Sequence, residues 1–362
     1  MGSLLGFPPQ KPKETLVKGN AMSNQKNREI LFKSRPSGMP SAANFELVER
    51  PVPTPGPGEV LVRNSYMSVD PYMRGRMTDR ASYVDGFKIG EVLSGGAVGQ
   101  VVASNNDKFK VGDYVSHFGG WREWYLTSGA DCQKIDPSLA PLSAYLGTFG
   151  MPGLTAYAGL LDVGQLKDGE RVFVSAASGA VGAVVCQIAK NKGCYVVGSA
   201  GSDDKCQWLK DVARCDEVIN YKTAGDLTAA VRKAFPEGID VYFENVGGDH
   251  LDAALANMRQ NGRIPVCGMI AQYNETTPPP GPRNIIMTVP LRLMIKGFIV
   301  SDHGNLMPKF IADMGKWTME GKMKWHETMM DGVEKAPDAF IGLFKGANFG
   351  KMVVRVGPDK AV

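Results

Sequence analysis

The stretch Ala176-Ala-Ser-Gly-Ala-Val-Gly182 puts small residues at a spacing that suits a phosphate group. Gly179 would let the backbone approach a pyrophosphate, and Gly182 would let a helix pack close to the strand before it. The helix start then offers free N–H groups and the positive end of its dipole to the anion. Ala177 stands where a GxGxxG motif has its first glycine, so the bare motif is incomplete. Its context is stronger. A strand-like run, Arg171-Val-Phe-Val-Ser175, precedes it, a helix-like run from Val181 to Lys192 follows, and Cys194-Tyr-Val-Val-Gly198 reads as the next strand. Strand, glycine turn, helix and strand form the first βαβ unit of a dinucleotide-binding sheet.

The end of the second strand bears on which dinucleotide. A cofactor without a 2′-phosphate is usually held there by a carboxylate. Here the strand runs into Ser199-Ala-Gly-Ser202, with no acid before Asp203, and Lys205 follows. Tyr221 closes the next strand-like run, Glu217 to Tyr221. A small neutral strand end beside a lysine suits NADPH. Two alternatives stay open: Lys205 as a solvated helix residue, and Asp203 or Asp204 turned inward to favour NAD.

These elements sit in a chain of 362 residues, longer than one core usually serves, so two domains are expected. A net charge of +4 is too small to point to nucleic acid. No apolar run reaches the length of a membrane span, and the N-terminus lacks the pattern of a signal peptide. Residues 1–21 read as an added leader or a native extension, because Met22-Ser-Asn-Gln-Lys26 resembles a natural start. The six cysteines form no CxxC pair and the four histidines are scattered, so a metal site is not expected. The cysteines fit a reducing, cytoplasmic setting.

Up to about residue 135 the text is short strand-like runs cut by glycine and proline, such as Glu59–Arg63, Gly95–Val102 and Tyr114–Phe118. That rhythm suggests an antiparallel, barrel-like domain. From about residue 150, helical patches alternate with apolar strands at 171–175, 194–200, 217–221, 239–244 and 263–268, the rhythm of a doubly wound parallel sheet. Leu293–Val300 reads as a last strand of that sheet. A helix-like stretch near 333–345 precedes a strand, Lys351–Arg355, expected to pair back into the first domain.

Several motifs resemble those of zinc-independent medium-chain dehydrogenase/reductases, in the leukotriene B4 12-hydroxydehydrogenase and alkenal double-bond reductase group. They are Ser68-Val-Asp-Pro-Tyr-Met-Arg-Gly-Arg76, Gly150-Met-Pro-Gly-Leu-Thr-Ala-Tyr157, Tyr242-Phe-Glu-Asn-Val-Gly-Gly248, Ala271-Gln-Tyr-Asn274 and Gly346-Ala-Asn-Phe-Gly-Lys351. Within that group the likeness is strongest to bacterial NADPH-dependent curcumin reductases. The resemblance implies a GroES-like β-barrel catalytic domain formed by residues 22–150 and 320–362, around a Rossmann NADPH-binding domain at 151–319. It implies reduction of the C=C bond of an enone or enal by hydride transfer to the β-carbon. Where zinc-dependent relatives carry a ligand cysteine, this chain reads Val69-Asp-Pro-Tyr72.

Such a reaction leaves negative charge on the carbonyl oxygen, so the site needs a hydrogen-bond donor and a proton for the α-carbon. The resemblance places Tyr273 there, with Tyr72 as a second candidate. Each could instead be structural, Tyr273 in its loop and Tyr72 packed under Arg74. Cofactor contacts are implied for Met151, Thr155, Ala177, Gly179, Ala180, Val181, Gly182, Gly201, Ser202, Lys205, Tyr221, Asn245, Cys267, Gly268, Tyr273, Phe298 and Asn348. Asn245 and Asn348 could equally be turn residues. Tyr72, Tyr83, Met151 and Tyr273 are expected to line an apolar substrate pocket. A quinone reductase of the same architecture and a non-enzymatic NADPH-binding protein are the alternative readings. A homodimer is expected, paired through the Leu293–Val300 strand.

Overall fold

The computed structural model describes residues 25–362, so the reading of residues 1–21 lies outside the described residues. The chain begins as an antiparallel hairpin, β1 (Lys26–Phe32) with β2 (Phe45–Pro51). There follow β3 (Val60–Ser68), the short helix α1 (Met73–Arg76), β4 (Ala97–Ser104), β5 (Tyr114–His117), β6 (Trp124–Thr127) and β7 (Gln133–Lys134). Helix α2 (Met151–Tyr157) leads into the second domain, where strands and helices alternate. These are β8 (Arg171–Val174), α3 (Gly182–Asn191), β9 (Tyr195–Ala200), α4 (Asp203–Asp211), β10 (Glu217–Asn220), α5 (Leu227–Ala234), β11 (Ile239–Phe243), α6 (Gly248–Leu255), β12 (Met258–Val266), α7 (Thr288–Leu291) and β13 (Met294–Gly297). Helix α8 (Met307–Met319) leads back to β14 (Glu327–Asp331), α9 (Ala336–Leu343) and β15 (Lys351–Arg355).

The second sheet is parallel throughout, in the order β10-β9-β8-β11-β12-β13. Counted from β8 that is 3-2-1-4-5-6, the dinucleotide-binding order, with its switch point between β8 and β11. The central strands β8, β9 and β11 are mostly apolar because helices cover both faces. Val172, Val174, Val196 and Val241 pack with Val184, Ile188 and Phe310 on one side, and Phe173, Val197 and Tyr242 with Val231 and Leu251 on the other. Only Met294–Gly297 of the expected Leu293–Val300 strand is extended in the sheet. Phe298 turns away and meets Phe243, ring centroids 6.4 Å apart.

The first sheet runs β14-β15-β3-β4-β5-β7, with β6 also on β3. It departs from the expected antiparallel pattern in one place: β14 and β15 are parallel. A parallel pair needs a crossover, and α9 supplies it. β15 then lies antiparallel to β3, Val353 opposite Ser68, so the last strand pairs into the first domain as the sequence suggests. Beside it, Phe45 stacks on Trp121 at 5.7 Å and Phe340 meets both rings edge-on. This return brings the 346–350 loop across the switch point, where Gly350 N–H donates to Ser178 O at 2.9 Å.

Candidate active site

At the switch point, β8 ends in a tight turn. Ala176 takes a left-handed φ of +46° and its carbonyl accepts the Gly179 N–H at 2.9 Å. A Cβ added to Gly182 would lie 2.8 Å from Ala177 Cα and closer still to Ala176 O, so only glycine lets α3 start this near the strand. The N–H groups of Ala180, Val181 and Gly182 take no backbone acceptor among the described residues, which leaves them for an anion. Ala177 does not share that role. It is fully buried, its N–H is taken by Ser199 O at 2.9 Å, and its Cβ packs towards Gly198.

On the facing strand, the buried Glu244 organises the turn that carries Asn245. Its Oε1 accepts the Val246 and Gly247 N–H groups at 2.6 and 2.9 Å, the Tyr242 hydroxyl at 2.9 Å and the Ser175 hydroxyl at 3.2 Å. Burial raises its pKa. Asn245 donates its N–H to Ser175 Oγ and its side-chain amide to Ser175 O, at 3.0 and 2.8 Å, so the ends of β8 and β11 are tied together.

Beyond β9, Gly201 lies under the Tyr221 hydroxyl. The Tyr221 ring stands edge-on to His250, 5.0 Å away, and His250 Nε2 is 2.9 Å from Ser199 Oγ. Burial lowers the His250 pKa to about 4, so this wall carries a neutral imidazole. Lys205 reaches back over the cleft to donate to Gly346 O at 2.8 Å, rather than pointing into solvent. Neither Asp203 nor Asp204 lines the cleft. Asp203 accepts Asn220 Nδ2 at 2.7 Å, and Asp204 pairs with the Ser202 hydroxyl. Ser202, expected at the cofactor, is thereby turned to the helix start and lies outside the cleft wall.

The cleft is continuous, about 1500 Å³, and crosses from this half into the first domain. Met151, Thr155, Cys267, Gly268, Phe298 and Asn348 line it, and so do Tyr72, Tyr83 and Tyr273. Thr155 donates to Met151 O at 2.8 Å and Asn348 to Gly350 O at 2.9 Å, so both hold their own backbones. The Tyr273 hydroxyl lies over Gly268 and accepts the Met269 N–H at 3.3 Å. Burial pushes its pKa up to about 12, and that of the Cys267 thiol likewise to about 12. Burial also raises Tyr72 and Tyr83, although Tyr83 keeps 61% of its surface exposed and forms a rim. Each of these phenols is therefore a proton donor at neutral pH.

Sequence reasoning missed a buried ion pair in the same wall. Lys351 Nζ donates to Asp70 Oδ1, Val69 O and Met352 O, each at 3.0 Å, and Asp70 also takes the Ser68 hydroxyl. The signal was two opposite charges embedded in the motifs at 68–76 and 346–351. The pair clasps β15 to the segment that leads to Tyr72. Among the described residues, no three His, Cys, Asp or Glu side chains converge as metal ligands.

The chain matches two family profiles, an N-terminal domain of oxidoreductase over residues 28–135 and a zinc-binding dehydrogenase over residues 180–314. It is 46% identical to an NADPH-dependent curcumin reductase of Escherichia coli over 340 residues, 92% of this chain and 98% of the relative. It is also 46% identical to a tobacco NADP⁺-dependent 2-alkenal reductase over 92% of this chain and 98% of the relative. The chain belongs to the medium-chain dehydrogenase/reductases, in the alkenal and prostaglandin reductase group. A rat prostaglandin reductase 1 is 45% identical over 88% of the chain and 95% of the relative. Among solved structures, CurA from Vibrio vulnificus in complex with NADPH superposes with a TM-score of 0.87 at 46% identity, over 91% of this chain and 99% of that one. An Escherichia coli quinone oxidoreductase superposes at 0.73 with 19% identity, over 91% of this chain and 99% of that one, a likeness of fold alone.

Proposed function

We propose that this family member is an NADPH-dependent reductase of the C=C bond of α,β-unsaturated ketones and aldehydes. One observation carries the reading: a glycine turn with free N–H groups, a lysine and the partly buried phenols of Tyr72 and Tyr273 line a single cleft. The residues fit the cofactor. Free N–H groups at Ala180–Gly182 suit a pyrophosphate, Lys205 suits the 2′-phosphate, and no carboxylate at the end of β9 lines the cleft. When bound, NADPH supplies a hydride from its nicotinamide ring.

The chain's own residues then stabilise charge. The Tyr273 hydroxyl would donate to the substrate's carbonyl oxygen, where negative charge develops. Its raised pKa keeps it protonated, so it holds charge on the oxygen while the α-carbon takes its proton from solvent. Tyr72 lines the same cleft as a second donor. Met151, Phe298 and Cys267 present apolar surface that suits a conjugated substrate. The curcumin and 2-alkenal reductases among the relatives support this substrate class. Six free cysteines fit a reducing cytoplasm, and no helix among the described residues is long and apolar enough to cross a membrane.

The test is NADPH oxidation across enals, enones, diarylheptanoids and quinones, before and after prolonged chelation. Turnover should be fastest with enones or enals and survive chelation. Turnover of quinones alone, or its loss with a stoichiometric metal, would contradict the proposal.

A further inference from the structure

Arg74, in α1, makes an unusual investment. It has 5% of its surface exposed, yet no ion pair with any described carboxylate offsets its burial, and its Nη1 has no partner. Burying a guanidinium without a counter-charge is costly, so its contacts must return something. Those contacts are two. Nε donates to Asn274 Oδ1 at 3.0 Å, and Nη2 donates to Gly38 O at 2.9 Å. Asn274 directly follows Tyr273.

The loop holding Tyr273 is anchored on both sides of the cleft. On the nucleotide side, the Ile270 and Ala271 N–H groups donate to Asn245 O and Val246 O at 3.2 and 3.0 Å. On the barrel side, the polar tie is Arg74, reinforced by Asn274 Nδ2 against Met39 Sδ at 3.4 Å. Tyr273 sits between these anchors. Among the described residues, its own hydroxyl is held only by the long bond from Met269 N–H, 3.3 Å. The planar fork of an arginine can meet two acceptors from separate segments at once, which a lysine cannot do with the same geometry.

We infer that Arg74 is a positioning residue for Tyr273: it fixes the Tyr273 loop to the barrel domain and so sets where the donor hydroxyl stands over the substrate. The inference rests on the reading of Tyr273 as donor. It adds that the donor's placement depends on contact between the two domains.

The experiment is single-turnover NADPH oxidation with a simple enone, using the full-length protein. Variants are Arg74→Met, Asn274→Ala and Tyr273→Phe, and each of the first two combined with Tyr273→Phe. Arg74→Met and Asn274→Ala should each slow the step by about 10- to 100-fold, the scale of a misplaced catalytic group. The dissociation constant for NADPH, read by its fluorescence, should change less than about twofold. In the Tyr273→Phe background neither change should slow the step further. If Arg74→Met fails to fold, Asn274→Ala carries the same test. Equal losses with and without the Tyr273 hydroxyl, or a wild-type rate in Asn274→Ala, would overturn the inference while leaving the donor reading intact. A wild-type rate in Tyr273→Phe alone would overturn the donor reading and the inference with it.

Discussion

On the proposed reading, Lys205 and Tyr273 divide the work of the cleft between cofactor choice and chemistry. Lys205→Ala should raise the KM for NADPH about 10- to 100-fold, since a hydrogen bond to a charged group is worth about 1.5–3 kcal/mol. NADH use should barely change. An equal loss with both cofactors would mean that the lysine acts through its bond to Gly346 instead. Tyr273→Phe should lower turnover by on the order of 10²-fold with little change in cofactor affinity. Because burial raises the phenol pKa to about 12, the donor stays protonated through pH 10. The rate of the hydride step should therefore show no downward limb near pH 10; such a limb, absent in Tyr273→Phe, would contradict the assignment. Residue types that act locally, such as Gly182 in its turn, were legible in the sequence. The Asp70–Lys351 pair was not, because its members stand 281 positions apart and only the return of β15 joins them. The resemblance puts Ala177 and Ser202 among the cofactor contacts; here Ala177 N–H bonds to Ser199 O and the Ser202 hydroxyl to Asp204, pairings that spacing does not reveal.

At the level of elements, the contact of α3 with β8 decides whether the phosphate turn exists. Gly182→Ala places a methyl against the Ala176 carbonyl and forces the helix outward. It should cost about 1–3 kcal/mol of stability, the usual cost of overpacking, and weaken NADPH binding, as read by urea unfolding and fluorescence titration. Gly179→Ala meets its nearest atom, Ala176 O, at 3.1 Å and should be milder. Unchanged stability and binding in Gly182→Ala would show that the close approach is not required. Strand positions in the parallel sheet were legible because buried parallel strands are nearly unbroken apolar runs. The parallel β14–β15 pair was not, since β14 is a half-buried strand, Glu327–Asp331, whose partner is named only by the crossover through α9.

The whole molecule is organised so that one chain visits the barrel, the nucleotide sheet and the barrel again, and the cleft lies where these passes meet. The sheet of the second domain ends at β13, a strand edge with Ile295 exposed, beside Ile286 and Val289, which keep 68% and 71% of their surfaces exposed. An apolar strand edge invites pairing with another chain. The protein should therefore sediment as a dimer at micromolar concentration, and Ile286→Lys with Val289→Lys should shift it towards the monomer. A wild-type monomer would contradict that arrangement.

On the proposed reading, hydride goes to the β-carbon rather than to the carbonyl carbon, and the phenol donors meet the charge that reaches the carbonyl oxygen. The direct measurement uses NADPH carrying deuterium at the transferable C4 position and an aryl enone, with the product analysed by NMR. The product should be a saturated ketone with deuterium at the β-carbon and a solvent proton at the α-carbon. An allylic alcohol, with deuterium on the former carbonyl carbon, would contradict it.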